Sequence, residues 1–448
     1  TPSIIRIVMD KKSKKPKRLI SSAQTRSLPR WISYIGLILL VLLIAGLIHD
    51  PANFLFSCGI TLGYTLLFYS VLRIISCFCP VKPASGVWNL NGELPIITVL
   101  LPVYKEAHMI ETLIHHVTQT HYPKDRLDII IVCEPDDPAT INAASYINMP
   151  GIRTFVTNGS LPRTKPHALN QALTISHGEI ITVYDAEDRP DPAQLHAAAH
   201  ALTANPGLAV VQAPLTYYNA GQNWLTRQFT LEYDALFRVW LPFLSRLNLP
   251  FPLGGTSNHI RRTALNAVGG WDSHNVTEDA DLSFRLAAYG WKPGYILPPT
   301  HEEAVSSWDQ WVYQRTRWMK GYMQTWITHM KTPLLPSGRA GWNRFMTLQL
   351  TLGVTLINGL LHLPGVLMII AILGLGFLSD ATFMPTFLLL TGLAISYAAG
   401  VFIGITGARR AGQKSLLKSS LFMPLYWLAL FHPTVTALIE LWRRPFHL

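Results

Sequence analysis

Leu94-Pro-Ile-Ile-Thr-Val-Leu-Leu-Pro-Val103 is an apolar, β-branched run that leads directly into Tyr104-Lys-Glu106. Its composition reads as a buried strand, and after it Ile110, Leu113, Ile114 and Val117 recur at i, i+3, i+4 and i+7, the spacing of one helix face. Working outward, strands are expected at 127–133, 152–156, 180–184 and 208–212, with helices at 165–176 and 191–204 between them. Strand and helix in alternation predict an α/β domain: a mainly parallel sheet with helices on both faces, whose ligands lie beyond the carboxyl ends of the strands.

The rest of the chain is of another kind. Of 448 residues, 49% are hydrophobic and only 14% charged, against roughly 25% charged in an ordinary soluble domain. That balance argues against a plain soluble protein and excludes disorder or a collagen-like repeat. Charge-free runs occur at 31–48, 54–72, 346–378, 381–408 and 419–439, and about 20 apolar residues suffice to cross a bilayer as helix. The organisation expected is a basic tail over 1–30, two transmembrane helices within 31–80, a polar domain over 81–343, and transmembrane and interfacial helices over 344–448.

The net charge is +11, and residues 1–30 hold nine basic residues against the single acid Asp10. A basic excess beside an apolar run reads as a membrane-surface anchor or as a solvated tail, and better as either than as a nucleic-acid groove. The first run reads as a signal anchor, and the positive-inside rule keeps its basic flank, and hence the middle domain, in the cytoplasm. Pro364 is expected to break the 346–378 run into an interfacial helix and one crossing. The last run, with Pro424 and Pro433, is expected to be a re-entrant or interfacial helix pair. Cys58, Cys77, Cys79 and Cys133 match no zinc spacing and are expected as reduced thiols.

Acidic residues gather where strands end: Glu134, Asp136 and Asp137 after the second, and Asp185, Glu187 and Asp188 after the fourth. One such group reads as a solvated turn. Two on neighbouring strand ends point instead to a divalent cation, since crowded carboxylates repel one another, and Mg²⁺ or Mn²⁺ is usually held by one or two carboxylates plus substrate phosphates. The chain has neither GxxxxGK[ST] nor GxGxxG after a strand, so the usual phosphate cradles of ATPases and dinucleotide oxidoreductases are missing.

Four motifs in order, Pro102-Val-Tyr-Lys-Glu106, Asp185-Ala-Glu-Asp188, Thr277-Glu-Asp279 and Gln314-Arg-Thr-Arg-Trp318, stand between the apolar runs. Together they resemble the membrane-integrated family 2 glycosyltransferases of the cellulose synthase and hyaluronan synthase group, over about residues 94–321. The resemblance implies a GT-A-like cytoplasmic domain at the plasma (inner) membrane that takes a nucleotide sugar, expected to be a UDP-hexose, and extends a growing glycan. It implies a donor site of Tyr104, Glu106, Glu134, Asp136, Lys165, Asp185, Gln314 and Arg317. Asp185 matches the first acid of DxD, with Glu187 and then Asp188 as the further metal candidates, and Glu134-Pro-Asp-Asp137 departs from the two adjacent aspartates of many relatives. Asp279 would be the general base, and Glu278, Gly254, Gly255, Thr256 and Trp318 would face the acceptor.

The residues alone leave other readings open. Asp279 at a helix N-terminus also suits the helix dipole, and an Arg-Trp pair near a membrane also suits interfacial anchoring. Gln314, Arg317 and Trp318 share a helical face, where an arginine can pair with a diphosphate and an indole can take the apolar face of a sugar. Within enzymes the rival is transfer of one sugar to a lipid phosphate. Outside them it is a transporter or binding protein, weakened because the five runs contain no Asp, Glu, Lys or Arg. A secretion or regulatory partner protein is compatible with either enzyme.

Overall fold

The structure is a computed structural model that describes residues 21–24, 30–49, 51–84, 93–331, 338–374 and 380–443. Most of the basic tail therefore lies outside the described residues. Among the described residues ten strands follow in chain order: β1 Ile97–Val103, β2 Leu127–Cys133, β3 Ile152–Val156, β4 Ile180–Val183, β5 Arg189–Pro190, β6 Leu208–Gln212, β7 Leu215–Tyr217, β8 Asn258–Arg261, β9 Lys292–Tyr295 and β10 Thr300–Glu302.

Seven of them form one sheet in the order β3-β2-β1-β4-β8-β6-β9. β1 is parallel to β2 and β4, β2 to β3, and β6 to β9. Its central residues Ile97, Leu100 and Leu101 are fully buried, because helices cover both faces and a strand buried on both sides must be apolar throughout. Ile110, Leu113, Ile114 and Val117, the expected helix face, are the buried side of the Ile110–Thr118 helix.

β8 is the exception: it runs antiparallel to both β4 and β6, pairing Val183 with Asn258. Antiparallel pairing brings the residues before β8 to the carboxyl end of β4. The 251–257 loop is thereby delivered to the end of the sheet where the acidic loops emerge. A second sheet, β5-β10-β7, flanks the same end.

The first two apolar runs fold as helices Arg30–His49 and Pro51–Phe78. Among the described residues three helical stretches are long and apolar enough to cross a membrane, Gly341–Leu367, Thr386–Arg410 and Lys414–Arg443. Pro364 does not break its run, as had been expected from the sequence: it lies inside the Val354–Gly374 helix, and the irregularity is a π-helical turn at Gln349–Gly353. Proline is tolerated inside apolar helices when neighbouring helices and local backbone adjustments accommodate the lost hydrogen bond. The last stretch is divided into a 3₁₀ segment, Lys414–Phe422, and two helices, Met423–Ala429 and Phe431–Arg443. The Pro51–Phe78 and Asp380–Arg410 helices pack closely where Gly63 meets Gly392, whose added Cβ would stand 3.2 Å from the Gly63 carbonyl oxygen. Small residues permit such close approach of apolar helices.

Candidate active site

The loops after β1, β2 and β4 carry the acids. Lys165 begins the Lys165–Leu173 helix, capped by Thr164, and its ammonium donates to the Asp185 carboxylate and, at 3.0 Å, to the Gly255 carbonyl. Burial alone would lower its pKa, but Asp185, Glu278 and Asp279 outweigh that and raise it, so the lysine is held as a cation.

Asp188 is fully buried. It accepts the Asp185 backbone N–H at 2.7 Å and the Thr256 hydroxyl, which shapes the Asp185-Ala-Glu turn and pins the 251–257 loop to it. Its other oxygen is buried without a partner. Burial and then the charges of Asp185 and Glu187 push Asp188 well above the usual carboxylate range, and burial with Asp185 pushes Glu187 up to about 7. Glu302, at the end of β10, is raised by burial and by the same three acids. Carboxyls that resist ionising together, one oxygen unpartnered, form a donor set that suits a hard divalent cation. Among the described residues no group of three or more His, Cys, Asp or Glu could hold a metal ion by itself.

Glu278 and Asp279 open the Glu278–Ala288 helix. Asp279 accepts the Ala280 N–H at 2.8 Å, and its other oxygen faces Gly255, whose added Cβ would lie 3.6 Å from it. Burial pushes Asp279 up to about 6; burial and the adjacent Asp279 push Glu278 up to about 8. Burial and mutual repulsion thus disfavour ionising both carboxyls of the pair together. The Trp308–Met330 helix presses on this pair from behind: a Cβ at Gly321 would meet the Thr277 side chain at 2.4 Å.

Gln314, Arg317 and Trp318 all line one cavity of about 550 Å³ together with Lys165, Asp185, Glu187, Gly254, Gly255, Thr256, Glu278 and Asp279. The cavity continues past Trp240 between the apolar helices, where Leu361, Val366, Leu393 and Trp427 line it. Tyr104, Glu106, Glu134 and Asp136 do not line it. They stand on the loops after β1 and β2, tied to the cluster through Glu106, which is raised by burial and by Asp185. Each acid after β2 has a protein partner: Glu134 accepts the Thr157 hydroxyl at 2.6 Å, Asp136 pairs with Arg163 at 2.8 Å, and Asp137 caps the Pro138–Ser145 helix and accepts from the Lys105 N–H.

Sequence reasoning missed Glu302 and the pair of the buried Arg315 with the part-buried Glu232, all three lining the cavity. Arg315 stands inside a motif already singled out, one turn before Trp318, but the shared face was drawn through Gln314, Arg317 and Trp318 only. Glu232 offered no local signal, since its partner is 83 residues away.

Residues 180–403 match a family model described as glycosyl transferase family group 2. Among curated proteins, "Probable glycosyltransferase YdaM" of Bacillus subtilis is 27% identical over 280 residues, 60% of this chain and 66% of that one. Glucomannan 4-beta-mannosyltransferase 2 of Arabidopsis thaliana is 28% identical over 244 residues, 52% of this chain and 45% of that one. Beta-monoglucosyldiacylglycerol synthase of Synechocystis is 27% identical over 245 residues, 53% of this chain and 50% of that one. The chain thus spans about half to two thirds of the length of the curated relatives it matches. Among solved structures, the mannosyltransferase PcManGT from Pyrobaculum calidifontis, in complex with GDP-Man and Mn²⁺, has a TM-score of 0.56 at 20% identity, covering 87% of this chain and 99% of that one. This last likeness is one of fold, GT-A-like with a mostly parallel sheet.

Proposed function

The chain belongs to glycosyl transferase family group 2, and from that premise we propose that it is an inverting, divalent-metal-dependent hexosyltransferase that elongates a glycan at the membrane. The observation that carries this reading is the single cavity joining Asp185, Asp279 and Trp318 to the space between the apolar helices. A donor from water and an acceptor lying along the membrane can meet at Asp279.

In this reading the acceptor hydroxyl gives its proton to the Asp279 carboxylate as its oxygen attacks the anomeric carbon. The bond from that carbon to the phosphate oxygen breaks, and the nucleoside diphosphate leaves. A carboxyl raised to about 6 suits the task, because it is ionised at neutral pH yet more basic than an exposed aspartate. Lys165 and Arg317 supply positive charge for the diphosphate. Asp185 and Glu187 would hold Mg²⁺ or Mn²⁺, which neutralises charge on the leaving group. The catalytic domain would face the cytoplasm at the plasma (inner) membrane, with a UDP-hexose as donor.

A second reading, transfer of one sugar to a lipid phosphate, is favoured by Leu361, Val366 and Leu393 at the membrane end of the cavity. The test of the enzyme class is nucleotide release in lipid nanodiscs across UDP-glucose, UDP-galactose, UDP-N-acetylglucosamine, UDP-glucuronate and GDP-mannose, with and without EDTA. Release with one donor that EDTA abolishes supports the proposal. Release that persists in EDTA removes the metal from it, and no release with any donor contradicts it.

A further inference from the structure

We propose that Arg315 and Glu232 are a positioning pair that holds the Trp318 indole as the acceptor platform, and that Tyr426 ties this pair to the C-terminal apolar helices. The inference rests on the reading of Trp318 given above. Arg315 is 3% exposed. Its guanidinium meets the Glu232 carboxylate in a fork, Nη1 to Oε1 at 3.1 Å and Nη2 to Oε2, and Nη2 also donates to the Tyr426 hydroxyl at 2.9 Å. Tyr426 in turn donates to Glu232 at 2.9 Å and accepts from Trp311 Nε1 at 2.9 Å. The tyrosine hydroxyl thus donates once and accepts twice.

The same guanidinium lies 4.5 Å from the ring centre of Trp318 and 4.5 Å from that of Phe229. The two rings also touch each other, their centres 5.9 Å apart and their planes tilted by 39°, so the cation attracts both at one corner of the wall by cation–π interaction, and a lysine ammonium does not reproduce the fork that holds it there. A buried ion pair is weak evidence for stability, since apolar residues of similar volume often serve as well. Its value here is geometric. Arg315 and Trp318 are one turn apart on the Trp308–Met330 helix, Glu232 comes from the Trp224–Ala235 helix, and Tyr426 from the Met423–Ala429 helix. Three elements distant in sequence thus set the position of one ring in the cavity wall. Arg315, engaged with Glu232, acts through Trp318, whereas the exposed Arg317 is left for the diphosphate.

The experiment compares nucleotide released with sugar incorporated into product, in nanodiscs, using whichever donor of the panel above the unaltered protein turns over. Arg315→Lys is expected to lower incorporation about threefold while nucleotide release changes less than about 1.5-fold, so that donor is spent on water. Tyr426→Phe, which removes only the hydroxyl links, is expected to shift the ratio the same way by about twofold. Adding Trp318→Ala to Arg315→Lys should cost little more than Trp318→Ala alone, because both act through one ring. Release and incorporation falling in parallel in both single variants would overturn the positioning role, as would a double variant that loses the product of the two single losses. An unaltered protein that releases nucleotide but incorporates no sugar would overturn the transferase reading itself, and the positioning role with it.

Discussion

The two halves of the candidate site are built differently. The donor half is made of short loops at the ends of β1, β2 and β4, each a few residues from a strand that holds it, with acids partnered nearby, as in Asp188 with the Asp185 N–H. The acceptor half is made of side chains on three helices separated by up to 194 residues, as in Tyr426 with Glu232. Chemistry that must be invariant is placed on the rigid sheet, while recognition of an acceptor is placed where helix packing can be retuned without disturbing the strands.

That contrast can be broken at either half. The largest effect is expected at Asp279, where catalysis and acceptor meet: Asp279→Asn should lower turnover by roughly 10²- to 10⁴-fold, the usual range for a lost general base, while donor binding by calorimetry stays near normal. Near-normal turnover would remove Asp279 from the mechanism. Gly321→Ala tests the join between the halves, since its methyl group would push on Thr277 at 2.4 Å and shift the Glu278-Asp279 pair. A displacement approaching 1 Å can cost on the order of 10²-fold in kcat, and unaltered kcat would show that the helix does not hold the base in place. Trp318→Ala should be milder, about fivefold in sugar incorporation for about 1 kcal/mol of lost aromatic contact, with donor hydrolysis less affected. Equal losses in both would argue against an acceptor platform.

The smallest effect near neutrality is on pH. Asp279 acts as base only when ionised, and its pKa is raised to about 6. Turnover should therefore be nearly level above pH 7, about half at pH 6 and about a tenth one unit lower. Asp279→Glu, measured over the same range, should move that limb if the group has been identified correctly.

The halves also differ in how far the sequence discloses them. β2 and β6 are readable to the residue because buried strands are continuous apolar runs, and the edge strand β3, Ile152-Arg-Thr-Phe-Val156, is readable by its β-branched and aromatic content. β8 is not: Asn258-His-Ile-Arg261 looks polar, and His259 is buried only because its imidazole pairs with the Thr182 hydroxyl at 2.8 Å while burial keeps it neutral. β9, Lys292-Pro-Gly-Tyr295, carries the two residues that argue most strongly against a strand, and it tolerates them as an edge strand. The strands of the small sheet are two or three residues long, too short for any period to register. The acids at the strand ends were legible because like charges so close together demand a reason. Arg315 was named in a motif but given no role, and Glu232 was invisible, since nothing local marks a residue whose partner comes from a helix packed against it late in the chain.

The central claim is that the acceptor lies along the cavity from Trp318 into the apolar helices and is extended there. The most direct test is the size of the radiolabelled product made in nanodiscs at low donor conversion. The account predicts long glycan chains on a small fraction of acceptors from the earliest times, with length falling in Trp318→Ala. A lipid-soluble product carrying a single sugar, unchanged in size as donor is consumed, would contradict it.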